Sequence, residues 1–227
     1  MQTRVFRALL VVSVLCATVV VAQEAGQESN VHYQWAFVAR SGGTGHHTLG
    51  VLTKDTTLKS GDQFKMFVNL SKASYVYIVY KGSGNALTLL FPYSIDMFQK
   101  DYVLDKNYYI PKGRDWFTLD KNTGTETFYL LASSERLTSL ENLLAEYAKA
   151  DSSKREEAAA KVVNEIKETK KRFRTFATLA ERPISIAGNV RGESKKQIDP
   201  DRVDIATLAT EISANNFFSK TITIDHK

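Results

Sequence analysis

Cysteine and proline are scarce in this sequence. The 227 residues contain one cysteine, Cys16, and four prolines. A single thiol excludes a disulfide framework, a cysteine-rich zinc site and an iron–sulfur cluster within the chain, because each needs at least two cysteines. Glycine is also modest at 12 residues, and 43% of the chain is hydrophobic. These values exclude a disordered or collagen-like chain and indicate a folded globular protein.

Recognisable catalytic motifs are lacking as well. The sequence has no G-x-S-x-G elbow and no H-E-x-x-H pair, and the glycine-rich residues 41–45 lack the Gly-Lys-Ser/Thr ending of a phosphate loop. The histidines are His32, His46, His47 and His226. Because adjacent strand residues point to opposite faces, we interpret His46 and His47 as a loop or strand edge rather than a metal site. We predict no catalytic residue, no metal and no cofactor, while a dispersed Ser/His/Asp site stays an open alternative.

The first 22 residues have the pattern of a targeting segment. Arg4 and Arg7 precede an apolar run over residues 8–21, which is shorter than the roughly 20 residues of a membrane-spanning helix. Val20 and Ala22 fit the small residues of a cleavage site. We therefore predict a signal peptide over residues 1–22, cleaved after Ala22, and export to the periplasm or the cell exterior. A retained membrane anchor is the alternative interpretation.

Removal of this leader changes the composition. The formal net charge falls from +5 to +3, and the remaining residues 23–227 hold no cysteine. A cysteine-free exported domain depends on its hydrophobic core alone, and about 200 residues bury enough surface to form one. The overall pI of about 9.1 then gives no reason to expect a nucleic-acid partner.

The first half of the remaining chain has the period-two alternation of β-strands. The predicted strands cover residues 31–40, 64–70, 74–80, 86–92, 108–110, 116–119 and 125–132. Residues 82–85 predict a hairpin turn, because glycine and asparagine accept positive φ there. Residues 122–124 predict a second turn, between the last two strands. Short strands joined by turns favour an antiparallel sandwich or barrel.

The period becomes helical near residue 138. The apolar positions of the first helix are Leu140, Leu143, Leu144 and Tyr147. Their i, i+3, i+4, i+7 spacing predicts an amphipathic helix. Two capping boxes are predicted at the helix starts. They are Thr138 with Glu141 and Ser153 with Glu156.

The chain after the helices returns to β character. We predict strands at residues 184–186 and 220–224 and a mobile loop at residues 188–201, and residues 198–216 stay open between turn, short helix and strand. Together these patterns predict an α+β fold: one mainly antiparallel β sandwich or barrel-like domain with an inserted αα-hairpin, after an N-terminal signal peptide. The predicted domain covers residues 23–227, with a β core at 31–133, a helical hairpin at 137–180 and a C-terminal β segment at 183–227.

The β core resembles a known family over roughly residues 47–135. The early motifs are residues 58–67, residues 75–80, the turn 82–85 and Leu89-Leu90-Phe91-Pro92, and the later ones are Ile110-Pro111, residues 116–119 and residues 124–133. In this order they are similar to the bacterial domain of unknown function numbered 4384. That family occurs in exported proteins and lipoproteins and beside caspase-like peptidases or protein kinases, so the resemblance implies an accessory module. It implies no catalytic residue, since none is established for the family.

Three tyrosines of one strand are candidate partner-binding residues. Tyr75, Tyr77 and Tyr80 offer large contact area with little loss of side-chain entropy, which suits a recognition surface. The alternative is that they form the sheet core and cross-strand pairs.

A basic stripe on the second helix is the other candidate surface. Lys167, Lys170, Lys171 and Arg174 recur at i, i+3, i+4 and i+7. Such a stripe could contact anionic lipid, envelope polymer or nucleic acid. The alternative is the solvated face of an amphipathic helix.

The sequence as a whole predicts an exported, non-catalytic binding or interaction module. The expected partner is a protein or an envelope component and not nucleic acid, and the mature chain has no predicted transmembrane span. One alternative is a peptidase- or hydrolase-associated accessory protein with an unrecognised site, in which histidine, serine and carboxylate side chains converge in a pocket. Another is attachment to the envelope or membrane surface through the basic helix face. Ligand and oligomeric state stay open.

Overall fold

A computed structural model of the protein describes residues 30–42, 48–173, 179–183 and 203–227. The strands are β1 (Val31–Ser41), β2 (Thr48–Val51), β3 (Thr56–Leu58), β4 (Gln63–Leu70), β5 (Tyr75–Lys81), β6 (Leu87–Phe91), β7 (Asn107–Ile110), β8 (Phe117–Thr118), β9 (Gly124–Ser133), β10 (Leu179–Pro183), β11 (Thr210–Ala214) and β12 (Phe217–His226). The α-helices are α1 (Met97–Lys100), α2 (Thr138–Lys149) and α3 (Arg155–Phe173), and a 3-10 helix covers Ile205–Leu208. The predicted leader, the histidine pair 46–47, the strand 184–186 and the loop 188–201 lie outside the described residues.

The described strands form two sheets. Sheet A has the order β10-β11-β1-β4-β7, with β2 beside β1 and β8 beside β4, and its pairs are antiparallel. Sheet B has the order β3-β12-β9-β5-β6. It is antiparallel except for β12 and β3, which run parallel. The predicted mainly antiparallel architecture is therefore confirmed.

The two sheets enclose a common core. Alternate residues of β1 point inward, so Tyr33 meets Phe218 of sheet B with ring centroids 6.2 Å apart, and Phe37 meets Phe128 at 4.8 Å. Edge-to-face contacts of this kind add stability beyond the buried area. Because both sheets keep free edges, the described strands make a sandwich and not a closed barrel.

The helical hairpin covers the outer face of sheet B. Leu140 and Leu144 of α2 and Ile166 of α3 pack against Tyr77 and Leu131, which point outward from β5 and β9. The sequence predicted a hairpin of two helices, and the structure confirms both within residues 138–173. This contact explains why β5 is apolar on both faces: one faces the sandwich core and the other faces the helices.

Both predicted capping boxes are wrong. The N-cap of α2 is Leu137 and has no side-chain hydrogen bond. The carboxylate of Glu141 is 5% exposed and instead accepts hydrogen bonds from Tyr77 and Arg136. Before α3, the side chain that accepts hydrogen bonds from backbone amides is Asp151 and not Ser153. Its carboxylate accepts from the amides of Ser153 and Lys154. A carboxylate is the stronger acceptor for such amides.

Residues 203–216, the described part of the segment left open near the C terminus, add a strand to sheet A and cover its outer face. Residues 205–208 form the 3-10 helix, and Ile205 packs with Ala36, Val38 and Phe67. Asp204 caps this helix by accepting from the amide of Ala206 at 3.0 Å. β11 then pairs with β1, and β12 is longer than the predicted strand at 220–224.

The predicted turn at residues 122–124 does not close a hairpin. β8 pairs with β4 in sheet A, whereas β9 pairs with β5 and β12 in sheet B. Residues 119–123 therefore cross from one sheet to the other. This crossing leaves an opening between the sheets, which is the site described next.

Candidate functional site

A cleft of about 530 Å³ opens between the two sheets, and we call it the acidic cleft. The β5–β6 turn forms one side, and β8 with the crossing 119–123 forms the other. Its floor consists of Glu126 from β9 and His226 from β12. The remaining lining residues are Phe64, Tyr80, Gly82, Ser83, Gly84, Ala86, Thr88, Leu90, Phe117, Thr118, Leu119, Asp120 and Asn122.

Glu126 is a charged residue at a core position. It points inward in phase with Phe128 and Leu130 of β9 and is only 3% exposed. Its Oε2 accepts a hydrogen bond from the hydroxyl of Tyr80 at 2.5 Å and one from the amide of Ser83 at 3.1 Å. Burial and the bond to Glu126 raise the pKa of Tyr80 well above its usual range, so its hydroxyl stays protonated and donates.

His226 occupies the corresponding position of β12. It follows Ile222 and Ile224 at the inward phase and is 2% exposed. Its Nε2 lies 3.0 Å from the hydroxyl of Ser60, and its Nδ1 lies 3.7 Å from Oε1 of Glu126. Nδ1 has no hydrogen-bond partner among the described residues. Because β12 pairs with both β3 and β9, Ser60, His226 and Glu126 lie next to one another although they are far apart in the sequence.

Two glycines let the β5–β6 turn pack tightly on β9. Gly124 has φ +138°, and a Cβ there would lie 2.7 Å from Cβ of Ser83. A Cβ on Gly82 would lie 3.1 Å from the hydroxyl of Tyr80. A side chain at position 124 would need both an unfavourable backbone conformation and a shift of the turn. These glycines therefore hold the amide of Ser83 against the carboxylate of Glu126.

The walls of the acidic cleft are apolar and its rim is negative. Phe64 and Phe117 pack with centroids 5.1 Å apart, and Tyr80 lies on the opposite sheet. At the rim, hydrogen bonds from the amide and side chain of Asn122, each 2.7 Å long, hold the pKa of Asp120 below its usual value. In the described part of the chain, no lysine or arginine lines this cleft.

Ser60, His226 and Glu126 have the connectivity of a nucleophile, base and carboxylate. The hydroxyl of Ser60 is within hydrogen-bond reach of Nε2, which a general base requires. The carboxylate is less well placed, because 3.7 Å exceeds a hydrogen-bond length. The amides next to the hydroxyl are already used, since Ser60 donates to Lys227 and Gly61 to Leu119. Acyl transfer needs free donors for the developing oxyanion, and these amides do not supply them.

A second cavity of about 410 Å³ is lined by residues that follow β6, and we call it the tyrosine cleft. It is lined by Tyr93, Ser94, Met97, Asp101, Lys106, Asn107, Tyr108, Tyr109, Lys112 and Gly113. Its hydroxyls are bound within the fold: Tyr93 donates to the carbonyl of Tyr109, and Tyr108 donates to that of Asp101 and accepts from the amide of Val103. Burial raises the pKa of Tyr93 to about 12.

The three tyrosines proposed from the sequence lie in three different environments. Tyr77 is fully buried beneath α2 and donates to Glu141, and burial raises its pKa. Tyr75 is half-buried against Phe98. Tyr80 alone lines the acidic cleft. The strand therefore does not present them as one surface.

The basic stripe is also divided among different environments. The ammonium of Lys170 donates to the hydroxyl of Thr221 at 2.9 Å, and its partial burial lowers its pKa. Lys171 is exposed and lies 4.0 Å from Glu168, and Lys167 lines a groove between α3 and the β5–β6 turn. Arg174 lies outside the described residues. Among the three described lysines of the stripe, Lys170 therefore contacts sheet B.

The sequence contains a signal for the acidic cleft that is not a catalytic motif. Glu126 and His226 each continue an inward period-two series of apolar residues, and a polar residue at such a position needs an explanation. Ser60 carried no comparable signal, because its role depends on the long-range pairing of β3 with β12. His32, the other described histidine, pairs with Glu211 across β1 and β11 and is partly exposed.

No group of three or more histidine, cysteine, aspartate or glutamate side chains suited to a metal ion occurs among the described residues. Within the same residues, none of the helices has the length and apolar character needed to cross a bilayer.

Comparison with protein families gives one result. Residues 57–136 match the family model of a domain of unknown function, DUF4384. The resemblance noted from the sequence is thereby confirmed for this segment, which runs from β3 to the residue before the N-cap of α2. The comparison with curated proteins finds no match, and neither does the comparison with solved structures.

Proposed function

We propose that the protein is an exported, non-catalytic binding module whose ligand site is the acidic cleft. The observation that supports this proposal is the buried carboxylate of Glu126 at the floor of an open cavity. A buried charge is costly unless it is fully paired, and replacing a whole buried ion pair by well-packed hydrophobic residues is often neutral or stabilising. Retaining a carboxylate there is better explained by a ligand than by folding alone.

The matched family segment supplies most of this site. Phe64, Tyr80, Phe117 and Glu126 lie within residues 57–136, and only His226 of the floor lies outside them. The volume is within the range of roughly 300–1,000 Å³ that ligand sites occupy. An accessory role beside other envelope proteins agrees with the use implied by the family resemblance, and we propose a protein or envelope component as the partner.

Filling the cleft tests this proposal. Thr88 is exposed on β6 and lines the acidic cleft, so Thr88→Trp blocks the cavity without disturbing the core. Ser94→Trp blocks the tyrosine cleft in the same way and is the matched control. We expect a fragment library screened by two-dimensional NMR to shift the amides of Ser83 and Phe117, and expect Thr88→Trp alone to abolish these shifts. Hits confined to other surfaces, or lost only in Ser94→Trp, would contradict the proposal.

A serine hydrolase is the second candidate function. The 3.0 Å contact of Ser60 with His226 favours it, because the pair has the geometry of a nucleophile and its base. We rank the hydrolase second for two reasons. The amides of Ser60 and Gly61 already donate hydrogen bonds within the chain, and Ser60 does not line the cleft. A fluorophosphonate probe decides between the two. Labelling that disappears in Ser60→Ala supports a hydrolase, and an unlabelled folded protein supports the binding module.

A further inference from the structure

One oxygen at the floor of the acidic cleft has no hydrogen bond. Oε2 of Glu126 accepts from Tyr80 and Ser83, whereas Oε1 accepts from no described residue. The nearest polar contact of Oε1 is Nδ1 of His226 at 3.7 Å, and this nitrogen has no partner either. This oxygen belongs to a side chain that is only 4% exposed and that lines an open cavity. Such an atom calls for a hydrogen-bond donor from outside the chain.

The negative charge around Oε1 of Glu126 favours a positively charged hydrogen-bond donor on the ligand. Asp120 at the rim adds a second negative charge, and no lysine or arginine in the described lining compensates either acid. Phe64, Phe117 and Tyr80 give the walls of the cleft an aromatic and apolar lining. Aromatic faces attract cations and also accommodate an apolar stem. An acidic floor below aromatic walls therefore suits an ammonium or guanidinium group carried on a chain of methylene groups.

The edge of sheet B favours a polypeptide as the source of this group. β6 pairs with β5 and is the last strand of the sheet in the described part of the chain. Its residues Thr88 and Leu90 also line the acidic cleft. The amide of Leu87 at the start of β6 already donates to the hydroxyl of Tyr147. The part of the edge that follows Leu87 can accept an extended peptide through main-chain hydrogen bonds, while pockets beside it take alternate side chains.

We propose that the acidic cleft takes a lysine or arginine side chain from an extended segment of a protein partner. The inference rests on the proposed function, because it names the ligand of the same site. The cation approaches Oε1 of Glu126, its stem packs between Phe117 and Tyr80, and the peptide backbone lies along β6.

Matched peptides test the choice of side chain. The probes are pentapeptides Gly-Gly-X-Gly-Gly, capped at both ends, in which X is lysine, arginine, norleucine or glutamate. Norleucine keeps the methylene stem of lysine without its charge. We expect lysine or arginine to bind at least about tenfold more tightly than norleucine in calorimetric titrations, and glutamate to bind most weakly. Equal affinity for lysine, arginine and norleucine would overturn the inference.

Two variants locate the binding. Glu126→Gln keeps the shape and an acceptor for Ser83, and we expect it to reduce the preference for the cation by about tenfold or more. Asp120→Asn changes an exposed residue that does not endanger folding, and we expect a loss of about two- to fivefold. Asp101→Asn in the tyrosine cleft is the control and leaves affinity unchanged. If both single variants bind the lysine peptide with full affinity, the proposed site is refuted. If Glu126→Gln does not fold, the result for Asp120→Asn still decides the test.

A free amine distinguishes the source of the cation. Butylammonium presents the same group without a peptide backbone, so binding as tight as that of the lysine peptide would overturn the protein partner. The fragment screen separates this inference from the function. Neutral fragments that bind in the cleft and are lost in Thr88→Trp, with no cation preference, would defeat the inference and leave the binding module standing. A cleft that binds neither peptides nor fragments would defeat both.

Discussion

The acidic cleft lies beside β6, the tyrosine cleft is lined by residues that follow β6, and the two differ in how their polar groups are used. In the tyrosine cleft, the hydroxyls of Tyr93, Tyr108 and Tyr109 all bond to the chain itself. The ammonium groups there also lie over aromatic rings, with Lys112 4.3 Å from the centroid of Tyr93. In the acidic cleft, Glu126 and His226 each keep one atom without a hydrogen bond among the described residues. Cavities of similar volume thus differ in whether their polar groups are used within the fold, and we propose a ligand site only for the acidic cleft.

The largest expected effect is a loss of folding stability when the buried acid of the acidic cleft is removed, compared with the exposed acid of the tyrosine cleft. Glu126→Ala removes the shared acceptor of Tyr80 and Ser83 and leaves His226 beside a cavity. We expect it to lower the free energy of unfolding by about 3 kcal/mol, because partners of a buried charge lose their compensation. Denaturant unfolding measures the loss. Asp101→Asn, the exposed acid of the tyrosine cleft, serves as the control, and an equal loss in both variants would break the comparison.

A smaller effect is expected at the glycines that shape the two clefts. Gly124→Ala combines a φ of +138° with a close approach to Ser83, whereas Gly113→Ala has a φ of +71° and no atom within 4 Å of its Cβ. We expect losses of about 2 kcal/mol for Gly124→Ala and about 1 kcal/mol for Gly113→Ala in unfolding experiments. The reverse order would show that Ser83 moves freely and that the turn is not held against β9.

The third effect concerns the tyrosine cleft. The hydroxyl of Tyr108 bonds to Asp101 and Val103, so Tyr108→Phe leaves the amide of Val103 without its acceptor. We expect a loss of about 1 kcal/mol and faster hydrogen exchange at Val103, with ligand binding in the acidic cleft unchanged. Altered binding in this variant would mean that the two cavities act together.

The smallest effect is a pH dependence at the rim of the acidic cleft. The folded-state pKa of Asp120 lies below its usual value of 3.8 because of the hydrogen bonds from Asn122. The stabilisation is therefore complete above the unfolded value and is lost as the pH falls through the lowered folded value. Denaturation midpoints of the protein and of Asp120→Asn should differ slightly at pH 7 and converge towards pH 2. A difference that grows on acidification would have the wrong sign.

The sequence predicted the elements of the fold better than their partners. Period-two alternation located β1, β4 and β9, and the glycine and asparagine of residues 82–85 located the β5–β6 hairpin, because both signals are local. The path of residues 119–123 from sheet A to sheet B was not predictable, since a short polar connection has the same composition in either case. The capping of α2 failed because Glu141 is used by Tyr77 and Arg136, which depends on tertiary contact.

The candidate site was still harder to predict than the fold. Ser60, Glu126 and His226 are brought together only when β12 pairs with β3 on one side and with β9 on the other. The inward phase of Glu126 and His226 was present in the sequence, yet phase alone does not show that the two residues meet. The tyrosines of β5 illustrate the opposite case, because their composition suggested a surface that burial of Tyr77 removes.

The central position of β12 in sheet B has a consequence for synthesis. When β9 is synthesised, its neighbour β5 already exists and can pair with one edge. The other edge pairs with β12, so it stays uncovered until residues 217–226 have been synthesised. The hydrogen bonds of the segment 57–136 thus extend beyond the segment, to β12 in one sheet and to β1 in the other. A boundary defined by sequence similarity is not a folding boundary here, and the nascent chain carries an unsatisfied strand edge until β12 is made.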